Sequence, residues 1–491
     1  MASDDNAVLR QQTKLILKIF NMIPKEGNIM TRDMTTGSPL RRILAFCAPL
    51  LIGNLFQQFY NLADSIIVGR LLGVNAFAAV GSTGALSFLV LGFALGICSG
   101  FAIPIAQSFG AGDTEAVRSR TGQLVWLGLF FSLLITVLTY FTTGPLLRVT
   151  NTPANIYVEA YRYIFIVFMG SGATILYNLA SGVLRALGDS RTPLLFLIVA
   201  VFINVLLDIL FMSAFGMGVE GAAYATIISQ AISGIACLVY IKRKVPVLHI
   251  SKGDLKPNFR RMGYIASIGV PMGLQFSITA VGSIILQSAV NTLGASAVAA
   301  VSAGSRVHNI VTAPLETVGI TMATYCGQNL GAGKLRRIRS GIRSITVVSM
   351  FYCLLALAIN SFAGTAIARL FLDASETAIL SDVHNYLVIN SLAYPFLAII
   401  YIFRNGLQGM GFSNSAMFAG LAELVARALV AFGFVGRYGF GAVCFAHPLA
   451  WLLADVILLT LYFSKLKYLK QTLPQEDGLP LQPKALTASA H

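Results

Sequence analysis

The sequence predicts an all-α integral membrane protein with twelve transmembrane helices in two pseudo-symmetric six-helix lobes. Three observations carry that expectation: scarcity of charge, uncharged windows longer than a membrane span, and an internal repeat. Of 491 residues, 56% are hydrophobic and only 11% are charged, whereas soluble proteins carry about 25%. Residues 71–112 contain no Asp, Glu, Lys or Arg, and neither do residues 262–305. Each window exceeds the roughly 20 residues that a helix needs to cross a hydrocarbon core.

Read in order, the apolar stretches place spans near 43–68, 78–106, 121–146, 163–184, 192–214 and 221–241. A second set follows near 265–291, 308–330, 344–368, 385–403, 416–436 and 441–463. Gly-Ala-Gly turns at 110–112 and 331–333, each followed by basic residues, end spans 2 and 8. Pro49, Pro104, Pro271, Pro314, Pro395 and Pro448 interrupt spans; in a bundle, neighbouring helices satisfy the freed backbone groups. The net charge of +15 is topological. Lys and Arg cluster in the N-terminal tail, from Lys242 to Arg261 and from Lys334 to Arg343, on one side of the spans; among them only Arg427 falls inside a span. This positive-inside pattern puts both termini in the cytoplasm and argues against a nucleic-acid partner.

The domain boundaries expected are a cytoplasmic tail at 1–37, an N-lobe at 38–241 and a cytoplasmic linker at 242–262. A C-lobe at 263–464 and a disordered tail at 465–491 complete the chain. The N-terminal stretch has no secretory-signal pattern, although 8–23 is weakly amphipathic. All six cysteines lie in apolar sequence without a C-x-x-C pair, so they read as buried packing rather than disulfides or zinc ligands.

Residues 73–82 (GVNAFAAVGS) and 294–303 (GASAVAAVSA) are identical at five of ten positions, at an offset of 221. The same offset aligns 107–112 (QSFGAG) with 328–333 (QNLGAG). Residues 184–190 match 407–413, and Gly221-Ala222 matches Gly441-Ala442. Six spans per half make both halves enter from the same side, related by an axis along the membrane normal. Two such bundles can rock about a central cavity, which is the architecture of alternating access.

Ionisable groups inside spans cost about 2.5–3.5 kcal/mol each at the bilayer centre and are functional candidates. Asp64 stands late in span 1. Asn204 and Asp208 lie in the apolar run 196–212, and their i, i+4 spacing puts them on one helix face. A carboxylate beside an amide can offer several oxygens to a hard cation or hold a proton. Tyr163 and Thr226 can add hydroxyls. The same pocket can therefore exchange Na⁺, H⁺ and a cationic cargo by competition. In the C-lobe, Glu423 and Arg427 form a candidate polar pair at i, i+4 in span 11, the counterpart of span 5. Gln57, Gln275, Glu316 and Asp455 are candidates for cavity lining by position.

The stretches 61–70 (NLADSIIVGR), 110–113 (GAGD), 184–193 (LRALGDSRTP), 204–208 (NVLLD) and 221–226 (GAAYAT) resemble multidrug and toxic compound extrusion (MATE) transporters. The resemblance covers roughly residues 38–465. It implies two six-helix lobes and export of small, usually cationic aromatic compounds, driven by a Na⁺ or H⁺ gradient. It also implies a cation site at Asp64, Asn204, Asp208, Thr226 and Tyr163, and a first helix that can bend at Pro49. One branch of the family uses an acid in helix 7, and span 7 here has none. The expectation is a monomeric multi-pass exporter of the bacterial inner membrane, with no cofactor beyond the coupling ion and no metal beyond a possible Na⁺ site. The alternative is a flippase for a lipid-linked precursor, which needs a cationic cavity for its headgroup. An enzyme is not expected: the chain has no H-E-x-x-H, no nucleophile elbow and no clustered His.

Overall fold

The computed structural model describes residues 33–150, 152–369 and 376–473, nearly all of them helical. The first half contains α1 (Pro39–Leu72), α2 (Val74–Ser82), α3 (Gly84–Gly110), α4 (Thr114–Val149), α5 (Tyr157–Met169), α6 (Ser171–Ala186), α7 (Arg191–Ile209) and α8 (Val219–Lys244). The second contains α9 (Phe259–Asn291), α10 (Ala295–Gly331), α11 (Leu335–Phe362), α12 (Gly364–Ala368), α13 (Thr377–Leu392), α14 (Tyr394–Ile399), α15 (Asn405–Gly409), α16 (Ser413–Leu429), α17 (Val435–Tyr438) and α18 (Phe440–Thr472). The Gly-Ala-Gly turns end α3 and α10 alike. Their second glycines, Gly112 and Gly333, have φ of 73° and 72°, a conformation that a Cβ would penalise.

Among the described residues, nine helices are long and apolar enough to cross a bilayer. Two bent pairs bring the number to eleven: α5 with α6, bent by 45°, and α13 with the Tyr394–Gly409 stretch, bent by 52°. The remaining expected span, 308–330, lies within α10. This helix is 37 residues long, but Arg306, His308, Asn309 and Glu316 dilute its apolar character. The helix α1 runs unbroken through Pro49.

Two boundaries differ from expectation. The last helix continues to Thr472, past the expected tail start at 465, because Tyr462, Leu466 and Leu469 recur at helical spacing and are buried in the C-lobe core. The rest of that tail and residues 1–32, including the amphipathic stretch 8–23, lie outside the described residues. The linker is also shorter than 242–262, since α8 runs to Lys244 and α9 starts at Phe259. The start of α9 is capped by the Asn258 side chain, which accepts from the Arg261 N–H at 3.0 Å.

Each half has its own core, and all six cysteines are buried. The first turns of α1 cross over: Ile43, Phe46 and Cys47 belong to the C-lobe core, whereas Val68 lies in an N-lobe cluster. The halves meet closely where α3 crosses α9. A Cβ on Gly96 would fall 2.7 Å from the Gly273 Cα, and one on Gly100 would fall 2.5 Å from the Gly269 Cα. Glycines four apart on both helices thus let two backbones touch, as small residues do in membrane bundles. Asn54 of α1 donates to the Thr317 hydroxyl of α10 at 3.0 Å, tying the two halves again.

Candidate functional site

The N-lobe polar residues converge. Asp64 comes from α1, Tyr163 from α5, Asn204 and Asp208 from α7, and Thr226 from α8. The Asn204 amide donates to the Thr226 hydroxyl over a long 3.4 Å, and the Tyr60 and Thr226 hydroxyls lie 3.3 Å apart. The Asp64 and Asp208 carboxyl groups are near enough for each to act on the other's charge. The Tyr163 phenol stands within electrostatic reach of both. Asp208 and Asn204 are fully buried, at 0% and 1% exposure, and Asp64 is 9% exposed.

The partner count says what this pocket lacks. Asp64 Oδ1, Asn204 Oδ1 and both oxygens of Asp208 are buried without a hydrogen-bond donor. Buried polar atoms are ordinarily paired, and here every unpaired atom is an acceptor. Such an all-oxygen set suits a hard cation or a proton. An apolar group packs over the pocket: Val68, Met212 and Ala222, with Ala76 and Val219, form one cluster against which Tyr163 also packs. Val68, Met212 and Ala222 each lie one helical turn from Asp64, Asp208 and Thr226, so the same helix faces build both pocket and cover. Tyr60 was missed from the sequence. Its i, i+4 spacing to Asp64 was the available signal.

The C-lobe pair is also close, and larger than expected. Glu423 Oε2 accepts from Arg427 Nη2 at 2.9 Å, and its Oε1 accepts from Arg404 Nη1 at 3.1 Å. Arg404 sits just beyond the expected end of span 10 and so reads as a cytoplasmic charge. The structure corrects this: a π-helical turn, Ile400–Arg404, carries the helix on and turns Arg404 toward Glu423. Further π turns follow the polar pairs of both lobes, at Leu210–Ala214 after Asp208 and at Val430–Phe434 after Arg427. Such turns frequently mark functional sites.

The lower-ranked candidates separate. Asp455 is 3% exposed and lies near Glu423 and Arg404 without bonding to either. Glu316 is exposed in the middle of α10, within reach of Arg404. Gln275 is buried and accepts from Gln408 at 2.5 Å, which ties α9 to α15. Gln57 is half-buried. Nearby, His308 meets the Tyr394 hydroxyl at 3.0 Å, and its ring stacks near His447 and Trp451.

A two-lobed helical membrane protein with a buried acceptor-only pocket is a transporter by architecture. The MatE family model matches the chain twice, over residues 49–210 and 271–432, and the chain belongs to that family. It is 31% identical to the "Probable multidrug resistance protein YpnP" of Bacillus subtilis, over 77% of this chain and 84% of the relative. It is also 31% identical to "Probable multidrug resistance protein YoeA" of the same organism, over 74% of this chain and 80% of the relative. The fold matches that in "Crystal structure of MATE in complex with MaL6" with a TM-score of 0.83. That match has 21% identity and covers 91% of this chain and 100% of the other. The two family-model matches begin at Pro49 and Pro271 and are offset by a constant 222 residues, as the repeat requires.

Proposed function

We propose that the chain is a secondary active exporter in the bacterial inner membrane, with both termini in the cytoplasm. It exchanges small organic compounds, chiefly cationic and aromatic, for Na⁺ or H⁺ by alternating access as a monomer. The observation that carries this reading is the buried acceptor-only cluster of Asp64, Asn204 and Asp208. Two carboxylates in an apolar shell repel each other until a proton or cation lies between them. The Asn204 carbonyl and the Thr226 hydroxyl add ligands for Na⁺, and Tyr163 and Tyr60 border the site. An empty pocket is therefore unfavourable, so ion and cargo replace one another rather than leave it vacant. Bending at Pro49 would change how Asp64 approaches Asp208.

A membrane potential supplies about 2.3 kcal/mol per charge per 100 mV. At about 150 mV, one uncompensated inward charge therefore supports a cargo gradient of roughly 300-fold. The test is dye efflux from proteoliposomes under separately imposed Na⁺ and pH gradients, with Asp208→Asn as the variant. The wild type extrudes dye under at least one gradient, and the variant inserts normally but extrudes none. Undiminished gradient-driven efflux by Asp208→Asn would sink the reading.

A further inference from the structure

Polar residues interrupt the apolar run of α10, and the exposed ones share one face. Ser302, Arg306, Asn309 and Glu316 are all exposed, and their steps of four, three and seven keep them on a single helical stripe. Ionisable side chains within membrane spans face a bundle interior or a water-filled cavity rather than hydrocarbon. The stripe stops at Glu316. From Thr317 to Gly331 the helix is buried, apart from half-buried Ile320 and Ala323. Beside Glu316, the Thr317 hydroxyl accepts from Asn54 of α1 at 3.0 Å, across the lobe boundary. Glu316 therefore stands at the floor of a polar cleft between the lobes, near the middle of its helix. We propose that Glu316 is the carboxylate that pairs with the positive charge of the cargo and selects cations for this cleft.

The surrounding charges leave Glu316 available for that role. Glu423 accepts from both Arg404 and Arg427, at 3.1 and 2.9 Å. Asp455 is buried near Glu423 and Arg404. Three carboxylates thus meet two guanidiniums, and the acid left over is the exposed one. Glu316 lies within electrostatic reach of Arg404, but it makes no hydrogen bond or ion pair with any described residue. The Arg404 guanidinium is committed to Glu423 and is only 12% exposed. Arg306 is about 15 Å away along the helix, beyond the screening length of a wet cleft.

The half-buried Tyr401 ring lies within electrostatic reach of Glu316 and offers a flat cation an aromatic wall. Glu316 belongs to the opposite lobe from the Asp64–Asp208 pocket. Cargo recognition thus has a carboxylate of its own, which the ion does not need. The buried stretch that begins at Thr317 ends near Gln328, so opening of that end brings Glu316 within reach from the other side. The inference goes beyond the exporter reading because it concerns binding, and rests on that reading only for its consequence in transport.

The test compares tetraphenylphosphonium, a permanent aromatic cation, with triphenylphosphine oxide, a neutral analogue. Binding of each to the purified full-length protein is measured by equilibrium dialysis without an ion gradient, so a failure of coupling leaves the result unchanged. The wild type binds the cation more tightly than the neutral compound. Glu316→Gln, which breaks no bond within the protein, weakens binding of the cation by about five-fold, the scale of one partly hydrated ion pair. The same variant changes binding of the neutral compound by less than about two-fold, and Glu316→Asp keeps most of the preference for the cation. Equal losses for both compounds, or no loss for the cation, overturn the proposal. So does a wild type that binds neither compound or prefers the neutral one.

Discussion

Gln107 and Gln328 occupy equivalent positions in the two halves, and each reaches across the lobe boundary to a backbone carbonyl of the other. Gln107 Nε2 donates to the Gly409 carbonyl at 3.0 Å, and Gln328 Nε2 donates to the Ala186 carbonyl at 2.8 Å. Their carbonyl ends are used as well: Gln107 accepts from the Tyr264 hydroxyl at 3.4 Å, and Gln328 accepts from the Met34 N–H at 2.9 Å. Both are essentially fully buried. They close the end of the molecule that carries Lys242–Arg261 and Lys334–Arg343, the end proposed above to face the cytoplasm.

Removing either glutamine should loosen that closure. A buried hydrogen bond contributes about 1 kcal/mol net, so Gln107→Ala or Gln328→Ala shifts the population toward opening at this end by about five-fold. Labelling of a cysteine placed at position 186 with a membrane-impermeant maleimide reads the shift in inside-out vesicles. Unchanged labelling in both variants means that the glutamines do not hold the gate.

The glycines beside them give a sharper version of the same test. A Cβ on Gly331 would sit 1.8 Å from the Gln107 carbonyl oxygen, and one on Gly110 would sit 1.9 Å from the Gln328 carbonyl oxygen. Backbone cannot yield that much, so Gly331→Ala keeps this end from closing while leaving both lobe cores untouched. The expected result is a folded protein with at least about ten-fold slower efflux, because one half of the cycle is blocked. Efflux within two-fold of wild type contradicts the closure geometry.

The span pattern and the duplication were legible in sequence because bilayer thickness and a near-constant offset leave a one-dimensional trace. So was the grouping of Asn204 with Asp208, which needs only helical spacing. Bringing Asp64 onto the same pocket needed tertiary packing, as did bringing Arg404 onto Glu423. The π turn at Ile400–Arg404 adds a residue to the helix without any Gly or Pro to announce it, so Arg404 read as a charge outside the span. The glutamine contacts were hidden for another reason. Their motifs stood out as repeats, but a repeat says that two segments are alike, and not that they touch.

The linker between the lobes is docked rather than free. Gln123 of α4 donates to the Asp254 and Lys256 carbonyls at 3.1 and 3.0 Å and accepts from the Asn258 N–H at 2.8 Å. Trp126 Nε1 donates to the Leu255 carbonyl at 2.7 Å. Gln123→Ala should release residues 252–258 and raise their rate of proteolysis in detergent by about five-fold. Within this turn, hydrogen bonds from the Ser251 hydroxyl and N–H hold the Asp254 carboxyl below its ordinary range. A depressed carboxyl stabilises the turn above that range and loses the effect as pH falls through the folded value. Ser251→Ala therefore weakens protection at neutral pH, and the difference from wild type disappears in acid. A difference that grows in acid reverses the sign and rejects the account.

Thr226 separates the two ions proposed for the acidic pocket. A proton shared by Asp64 and Asp208 needs only the two carboxyl groups. Na⁺ needs several oxygens around it, and the Thr226 hydroxyl, 3.4 Å from the Asn204 amide and 3.3 Å from the Tyr60 hydroxyl, is positioned to be one. Thr226→Val removes that oxygen at nearly constant shape. Na⁺-driven efflux should then need about ten-fold more Na⁺ for half-maximal rate, the scale of one lost strong ligand contact, while proton-driven efflux stays within about two-fold. Equal loss under both gradients would mean that Thr226 only packs α8 against α7. Loss confined to the proton-driven rate would mean that the hydroxyl acts on the carboxyl pair through Asn204 or Tyr60, and that the oxygens around Asp208 do not form a Na⁺ site.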